Sequence, residues 1–304
     1  MNYKHYSLVG FFKNMDTEGK ARDLIWKHRF GKTGFKCSDC FHTEFYSFKN
    51  RLEVRRCKSC NKDQRLRAGS LFEKSHLPLL TWVRAIYLMM QGKRGISALE
   101  LQRQLGLSRY ETALHLLRKI RQGLKERDEQ YDISGIIELD GTGFGKQETK
   151  NQKTVIIGVE TREYRDKKGK LKTKAGFAKV LVGKETNKNA QKLVNDGVKK
   201  GATVHTDGGK AYLGGLEKVK VKSKNTYGDP KILDGWQPWV HKFISNAKTW
   251  ILGTHHGVRG EYLDLYLAEY TYRFNRRHDV SKLFDRALTA CSLAKPNPLG
   301  ATSG

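Results

Sequence analysis

Two aspartates, Asp140 and Asp207, are the residues of this chain best suited to carry out chemistry. Each follows a short run of apolar and β-branched residues, at positions 136–139 and 204–206, and each precedes glycine-rich sequence. This pattern predicts two β-strands that each place a carboxylate at or near the C-terminal end, just before a turn. Open α/β sheets bind their ligands at that edge. The simpler alternative is that each Asp-Gly pair marks only a turn.

The charge of the chain indicates what such carboxylates would act on. The 304 residues include 58 Lys and Arg against 31 Asp and Glu, and the net charge of +27 is spread along the sequence. A basic surface favours a polyanionic partner because binding releases counterions. An RNA-binding protein would share this charge, so it indicates a class of partner and no reaction. Two aspartates that share divalent ions, Mg²⁺ or Mn²⁺, suit reactions of phosphodiesters.

Four cysteines form two C-x2-C pairs separated by sixteen residues, Cys37 with Cys40 and Cys57 with Cys60. This spacing predicts a tetrahedral zinc site built from four thiolates. Such a site leaves no open coordination position, so the zinc would hold structure and do no chemistry. Two disulfides are the alternative, which a cytosolic chain disfavours. Cys291 stands apart and is predicted to be a buried free thiol.

Residues 78–121 carry the pattern of a helix-turn-helix. A helix opens at Pro78, two capping boxes follow at residues 97–100 and 108–111, and Gly106 marks the turn between them. A short helix, a turn with glycine and a longer basic helix are typical of DNA-binding domains. An ordinary helical hairpin with a solvated basic face is the alternative. The apolar face of the short helix is predicted to contain Leu99, Leu101 and Leu105. The residues predicted to contact DNA are Arg109, Arg118, Lys119 and Arg121.

The residues from about 131 predict a mixed sheet. Three strands, at 136–140, 154–160 and 177–182, precede a helix at 187–199 and a fourth strand that ends at Asp207. A lysine-rich hairpin at residues 165–170 joins the second strand to the third. Three strands, a crossover helix and a fourth strand form the RNase H-like order, in which the first and fourth strands are neighbours. Period-2 geometry also places Glu138 on the same strand face as Asp140.

A helix predicted to begin near Pro238 would supply the third residue of the site. No carboxylate lies between residues 236 and 259. At about 100° per residue, His241 and Lys248 project within about 20° of each other, beside the apolar stripe, whereas Asn246 points outward. His241 is therefore the favoured third metal ligand and Lys248 the contact to phosphate. The alternatives are that His241 is a surface histidine and that Asn246 fills the third position.

Six phrases, in the same order along residues 15–280, carry a resemblance to a known family. The chain resembles the bacterial insertion-sequence transposases of the ISXO2-like group, which combine a zinc ribbon, a helix-turn-helix and an RNase H-like DDE core. The matching phrases lie at residues 95–102, 138–140, 206–208, 245–248, 253–257 and 273–277.

The resemblance implies a DDE-type transposase that cuts DNA at the ends of its own element and joins them to target DNA. Asp140 and Asp207 match the two family aspartates, and Lys248 matches the basic residue that follows the third ligand. The group often replaces the usual glutamate with a neutral residue, so either His241 or Asn246 would take that position. Gly141 departs from the glutamate that often follows the first aspartate in the family.

A second basic surface is predicted on a helix at residues 262–277. Its apolar residues should pack on the core and leave Arg273, Arg276 and Arg277 to contact DNA, with a plain solvated face as the alternative. The predicted partners are therefore the terminal inverted repeats and target DNA, bound by a homodimer or higher homo-oligomer. A signal peptide and a membrane-spanning run are not recognisable, which predicts a cytoplasmic, nucleoid-associated protein.

The predicted fold class is a multidomain protein of α+β and α/β type. Its predicted domains are an N-terminal helix and zinc ribbon (1–70), a helix-turn-helix domain (71–130), an RNase H-like catalytic domain (131–290) and a loosely ordered tail (291–304). Two other functions compete with an active transposase. One is a transposase-derived protein that binds specific DNA without cutting it, and the other is a zinc-ribbon regulator with no enzymatic domain.

Overall fold

The computed structural model describes residues 7–145, 152–225, 229 and 235–296. The chain divides into two compact units, one formed by the residues up to Arg127 together with those from His278, and the other by Asp128–Arg277. The sequence prediction continued the catalytic domain to residue 290, past the end of the second unit. In the described part of the chain, no helix is long and apolar enough to cross a membrane.

The first unit begins with helices and a small antiparallel sheet of order β1-β2-β3. Thr17 caps the second helix, since its hydroxyl accepts a hydrogen bond from the Lys20 N–H at 3.3 Å. The elements are α1 (Leu8–Asn14), α2 (Glu18–Phe30), β1 (Phe45–Ser47), β2 (Val54–Cys57), β3 (Asp63–Arg65), α3 (Leu79–Gln91), α4 (Ala98–Leu105) and α5 (Tyr110–Glu129).

The predicted pair of helices around Gly106 is present as α4 and α5. The Ser97 hydroxyl accepts a hydrogen bond from the Glu100 N–H at 3.2 Å, which caps α4 at its N-terminus. Gly106 ends α4 in the left-handed conformation, with φ of 63°. Leu101 is buried, but Leu99 is 47% exposed, so its predicted place on the apolar face is wrong. Leu99 and Leu101 are two residues apart, so they project about 200° from each other around the helix axis. Ala98, three residues before Leu101, lies on the buried face instead.

The second unit contains a five-stranded mixed sheet of order β6-β5-β4-β7-β8. Strand β4 pairs antiparallel with β5 and parallel with β7, which confirms the prediction that the first and fourth strands of this sheet are neighbours. The elements are β4 (Ile136–Phe144), β5 (Lys153–Arg165), β6 (Leu171–Val182), α6 (Asn187–Gly197), β7 (Thr203–Thr206), α7 (Lys210–Leu213), β8 (Lys220–Ser223), α8 (Pro238–His255) and α9 (Leu263–Asn275).

Helices cover both faces of this sheet. Apolar residues of β5 and β6, including Ile157 and Val159, pack on one face against α8 and α9. On the other face, Ile137 and Leu139 pack against α6 and α7. Because β4 alternates between these two faces, Glu138 and Asp140 lie on the α8 side, as their spacing predicted.

Strand β4 is longer than the sequence indicated. The glycines after Asp140 were expected to form a turn, but Gly141 pairs with Ile156 and Gly143 with Thr154, and the ladder continues to Phe144. The long strand β5 supplies a partner for every one of these residues, which outweighs the weak strand preference of glycine. Asp140 is therefore inside β4, and the expected turn directly after it is wrong.

The C-terminal helix α10 (Leu283–Leu293) belongs to the first unit, where it packs against α2 and α3. His28 Nδ1 and Thr289 Oγ1 are 2.8 Å apart, and the rings of Phe11 and Phe284 meet edge to face. Cys291 is fully buried, as expected for a structural thiol. The prediction of a loose tail from residue 291 is wrong for residues 291–293, because this helix buries one apolar face. Residues 297–304 lie outside the described part.

Candidate active site

The register of two parallel strands brings the two aspartates together. Ile136 pairs with Thr203 and Glu138 with His205, and Asp140 and Asp207 each follow two residues after this last pair. The two carboxylates are close enough for the charge of Asp207 to raise the pKa of Asp140. Strand β7 ends at Thr206, so Asp207 directly follows its last residue. The site thus lies where β4 extends beyond β7, at the carboxyl end of the parallel pair.

The environment of Asp140 disfavours a negative charge. Its side chain is 14% exposed. Burial raises the pKa of Asp140 to about 7, and the negative charges of Asp207 and Glu185 add to this effect. The Gly141 N–H, which donates to Asp140 Oδ1 at 2.8 Å, and the Lys248 ammonium act in the opposite direction. The Asp140 carboxyl therefore holds its proton more tightly than an exposed aspartate does.

Glu185 is a carboxylate of this site that the sequence did not reveal. It lies in the loop between β6 and α6, and its Cδ is 2.2 Å from the position that a Cβ on residue 141 would take. A side chain at position 141 would displace the end of the Glu185 side chain from this place. The one signal in the sequence is Gly141 itself, which departs from the family pattern. No pattern in the sequence around Glu185, which is more than forty residues away, indicates that it approaches Gly141.

Glu138 attaches helix α8 to strand β4. One oxygen of this buried carboxylate accepts hydrogen bonds from the N–H groups of Trp239 and Val240, at 2.6 and 2.8 Å. The other oxygen accepts a hydrogen bond from the Thr161 hydroxyl at 2.6 Å. Burial raises the pKa of Glu138, and these three donors oppose that shift. Because the first turn of a helix has unpaired N–H groups, the carboxylate satisfies them and fixes the start of α8 beside Asp140.

The two residues before α8 hold the ends of β4 and β7. The buried Gln237 amide donates to the carbonyl oxygens of Leu139 and His205, at 2.9 and 3.0 Å. The Trp236 indole donates to the Thr206 carbonyl at 2.8 Å and stacks on the His205 ring. The Gln237 amide thus joins the two strands just before the aspartates. Leu139 directly precedes Asp140, and His205 lies two residues before Asp207.

Helix α8 directs two of the three predicted side chains toward Asp140. His241 Nδ1 lies 3.6 Å from Asp140 Oδ2, and the imidazole is 35% exposed. Lys248 Nζ donates to the Thr142 hydroxyl at 2.9 Å, two residues beyond Asp140 on β4. Asn246 is exposed on the outer side of the helix, where the helical projection placed it. His241 and Lys248 therefore share the Asp140 side of α8, and Asn246 does not.

These side chains fit a divalent cation by their chemistry. Carboxylate oxygens are preferred by Mg²⁺ and Mn²⁺, and a neutral imidazole also suits Mn²⁺. The mutual repulsion that raises the pKa of Asp140 is the kind of unbalanced negative charge that a cation removes. Among the described residues, the four cysteines of the first unit are the one set of ligands gathered within 4.8 Å, so Asp140, Asp207 and His241 are spaced more widely than that.

The sequence of the second unit matches a known protein family. Residues 126–275, which include both aspartates, Glu185 and all of helix α8, match the ISXO2-like transposase domain. This domain is a member of that family. No curated protein matches the chain. The match supports a transposase with DNA as its partner, and it counts against a zinc-ribbon regulator without an enzymatic domain.

The four cysteines of the first unit form a cluster that could hold a metal such as zinc. All four Sγ atoms lie within 4.8 Å of one another, and those of Cys37 and Cys60 are 3.4 Å apart. A disulfide bond is about 2.05 Å long, so these are free thiols. The backbone N–H groups of Cys40 and Asp39 lower the pKa of the Cys37 thiol to about 6.

The two cysteine pairs are held by matching backbone turns. The Cys37 N–H donates to the His42 carbonyl and the Cys57 N–H to the Lys62 carbonyl, each at 2.9 Å. Phe41 and Asn61, one residue after each pair, both adopt positive φ near 60°. Each turn thus points its two thiols at the same centre, as a tetrahedral metal requires.

We expect the purified transposase to contain one zinc ion bound by this cluster. A structural zinc of this kind contributes about 10 to 16 kcal/mol of apparent binding free energy, so the Cys57→Ser variant should lose both the zinc and the fold of β1–β3. The measurement is zinc content by elemental analysis, together with proteolysis of the ribbon. Cys291→Ser is the matched control and should keep its zinc. A zinc-free protein whose ribbon resists proteolysis would contradict this prediction.

The predicted DNA-contacting residues in and just before helix α5 differ in exposure. Arg109 is exposed, and Arg118 and Lys119 are partly exposed. Arg121 is fully buried, so its prediction as a DNA contact is wrong. It lies four residues after Leu117 on the buried stripe of α5, where helical spacing turns it inward.

The arginines after helix α9 also have structural partners. Arg276 forms an ion pair with Asp128 at 2.7 Å and is stacked on the Tyr272 ring. Arg277 donates to the carbonyls of Phe274 and Gly176, at 2.7 and 3.1 Å. Arg276 and Arg277 therefore hold the end of α9, and their contact with DNA stays a prediction because both are partly exposed. Arg273 is partly exposed, and its contact with DNA remains a prediction.

Proposed function

We propose that the protein is an insertion-sequence transposase that binds the ends of its own element and catalyses divalent-metal-dependent DNA cleavage and strand transfer. The observation that supports this proposal is the parallel pairing of β4 with β7, after which Asp140 and Asp207 each follow the last pair by two residues, with His241 Nδ1 3.6 Å from Asp140 Oδ2. The strand order β6-β5-β4-β7-β8, with its antiparallel and parallel halves, supports an RNase H-like core.

Asp140, Asp207 and His241 are the residues proposed to hold Mg²⁺ or Mn²⁺. Such ions, when bound, would activate the attacking oxygen and stabilise the leaving oxygen of a phosphodiester. Asp140 must lose its proton to serve as a ligand, and His241 must present a neutral ring nitrogen. Glu138 and Gln237 keep α8 in place, so that these groups meet without reorganisation at the time of reaction.

Lys248 is proposed to bind the phosphate of the DNA end. Its ammonium donates to the Thr142 hydroxyl, beside Asp140, and can donate two further hydrogen bonds. A lysine attracts phosphate as a point charge, which positions the scissile bond without fixing one orientation. The zinc ribbon and the α4–α5 pair, with Arg109, Arg118 and Lys119, are proposed to bind the terminal repeats. A homodimer or larger assembly would hold two ends together.

A second candidate is a protein that binds the same DNA without cutting it. The absence of an acidic residue on α8 and the presence of Gly141 favour this candidate, since both reduce the number of carboxylates that the family pattern provides. The Glu185 carboxylate beside Gly141 weighs against it, because that side chain restores negative charge next to Asp140.

An assay with Asp207→Asn tests the proposed reaction. The change removes one anionic ligand and keeps the shape of the side chain, so we expect strand transfer to fall by at least about 100-fold, beyond the usual loss for an outer-shell metal partner. Binding to duplexes that carry the inverted repeats flanking the gene should stay within about twofold, since the loss of a carboxylate removes no phosphate contact.

The matched control is Asp196→Asn, an exposed aspartate of α6 in the same unit. This variant should cut and join DNA as the wild-type protein does. Strand transfer by Asp207→Asn at the wild-type rate would refute the assignment of the site. A wild-type protein that binds the repeats but makes no product with either metal ion would instead favour the second candidate.

A further inference from the structure

A two-stranded arm extends from the sheet of the second unit. Strand β5 pairs with β4 only as far as Thr161, which faces Ile136. Beyond Thr161, β5 pairs with β6 alone, from Arg162 opposite Lys174 to Arg165 opposite Leu171. We name residues 162–174 the basic ribbon. At about 3.4 Å per residue, its four paired positions and turn form an arm of roughly 15 to 20 Å.

The turn at the end of the ribbon is well fixed. Asp166 Oδ1 accepts hydrogen bonds from the N–H groups of Lys168 and Lys170, at 2.9 and 3.0 Å. The Lys172 ammonium lies 2.9 Å from Asp166 Oδ2, which lowers the pKa of Asp166 and balances its charge. The turn therefore presents lysines from a defined backbone instead of a loose loop.

The base of the ribbon is also attached to the domain. Trp239 Nε1, in the first turn of α8, donates to the Thr173 hydroxyl at 3.1 Å. Arg162 forms an ion pair with the buried Glu160 and lies over the Phe177 ring. These contacts set the direction of the arm relative to the sheet.

The ribbon carries a concentration of positive charge that its own structure does not balance. It has seven cationic and two acidic side chains, a net charge of +5 in thirteen residues. Arg162 and Lys172 have ion-pair partners, whereas the rest of the cations have none among the described residues. These others are exposed or at the surface of the arm, and they are Arg165, Lys167, Lys168, Lys170 and Lys174.

We propose that the basic ribbon binds the backbone of double-stranded DNA. A two-stranded β-ribbon fits the major groove, which is about 12 Å wide, and lysines on both strands would meet phosphates on either side. Fixed lysines gain binding free energy from counterion release and lose little from ordering, because the backbone is already held.

The ribbon would contact DNA away from the point of cutting. Asp140 pairs with Ile157, and Arg165 is eight residues further along β5, so about 27 Å separate the two positions along the strand. That distance corresponds to about eight base pairs at 3.4 Å each. The proposal thus rests on the proposed function only for the identity of the DNA, and it adds a second contact to the same duplex or to the target.

The test is the salt dependence of DNA binding by the full-length protein. The triple change Lys167→Gln, Lys168→Gln and Lys170→Gln keeps the backbone hydrogen bonds of the turn. The probe is a random-sequence DNA duplex, measured without divalent ions between about 50 and 200 mM salt. The matched control neutralises three exposed lysines of the same unit, Lys192, Lys199 and Lys200.

We expect the slope of log K against log salt to fall by about 2 to 3 for the ribbon variant, since each lost phosphate contact contributes about 0.9. The control should change the slope by less than about 1. An unchanged slope, with increased self-association of the variant, would overturn the proposal and assign the lysines to protection of an exposed sheet edge. An equal loss on an RNA duplex would overturn the choice of DNA.

The two proposals fail in different ways. If Asp207→Asn remains active while the ribbon variant loses its slope, the assigned active site is wrong and the ribbon still binds DNA. If Asp207→Asn is inactive and the ribbon variant keeps the wild-type slope, the ribbon proposal is wrong and the proposed reaction stands.

Discussion

Asp140→Asn is expected to stabilise the metal-free protein at pH 8 while it abolishes strand transfer. In the folded protein the pKa of Asp140 is raised from 3.8 to about 7. The folded state therefore holds the proton more tightly than the unfolded state does. Its favourable contribution to stability is complete below pH 3.8 and is lost as the pH rises through 7. At pH 8 the ionised carboxylate costs up to about 4 kcal/mol, because one pKa unit corresponds to about 1.4 kcal/mol.

Asparagine keeps the shape of the side chain without the charge. It should recover part of that cost, about 1 to 3 kcal/mol, because its amide is also buried and needs hydrogen-bond partners. The measurement is the apparent Tm at pH 8 and again near pH 4, in the presence of a chelator. The variant should melt at a higher temperature than the wild-type protein at pH 8, and the difference should shrink or vanish near pH 4.

A divalent cation should reverse the order of stability. Mn²⁺ should raise the Tm of the wild-type protein by binding the folded state, and it should raise that of Asp140→Asn much less. Asp196→Asn, at an exposed aspartate of α6, controls for a general effect of charge and should show neither change. A lower Tm for Asp140→Asn at pH 8 would mean that the carboxylate is balanced by partners in the apo protein and is not held ready for a cation.

The strand order of the second unit could be predicted because it depends on patterns that repeat locally. The apolar runs of β4 and β7 and the helical pattern between them can each be recognised in the local sequence. The rules for connections between strands then make the first and fourth strands neighbours. The prediction of a turn after Asp140 is wrong because of a long-range interaction. Gly141 has little strand preference of its own, and only the ladder to β5 keeps it extended.

The sequence could not predict residues whose place depends on partners far away in the chain. Glu185 reaches the site because the crossover loop returns over Gly141, and no spacing in the sequence records that approach. Arg121 was assigned to a DNA surface by its charge, although its spacing from Leu117 and Leu124 already placed it on the buried side of α5. At this position helical periodicity predicts the burial of the side chain correctly, whereas its charge suggests exposure.

The last prediction concerns the third position of the site, where His241 and Asn246 compete. His241→Ala should lower strand transfer by at least about 100-fold, as the loss of a metal ligand would. Asn246 is exposed on the far side of α8. Asn246→Ala should therefore stay within about twofold of the wild-type rate, because surface changes of this kind are worth about 0.5 kcal/mol or less.

The chemistry of an imidazole ligand adds a metal preference that a merely structural histidine would not show. Acid should also lower activity, because a protonated Asp140 and a protonated imidazole are both lost as metal ligands. Mn²⁺ should support at least as much activity as Mg²⁺, which prefers oxygen ligands. His241→Glu should keep activity and shift the preference toward Mg²⁺, because it places a carboxylate on the same face of α8.

Lys248→Ala should weaken binding of the DNA end and leave the metal preference unchanged. If Asn246→Ala is inactive while His241→Ala transposes normally, Asn246 is the third ligand, and α8 must rotate when the protein binds DNA and metal.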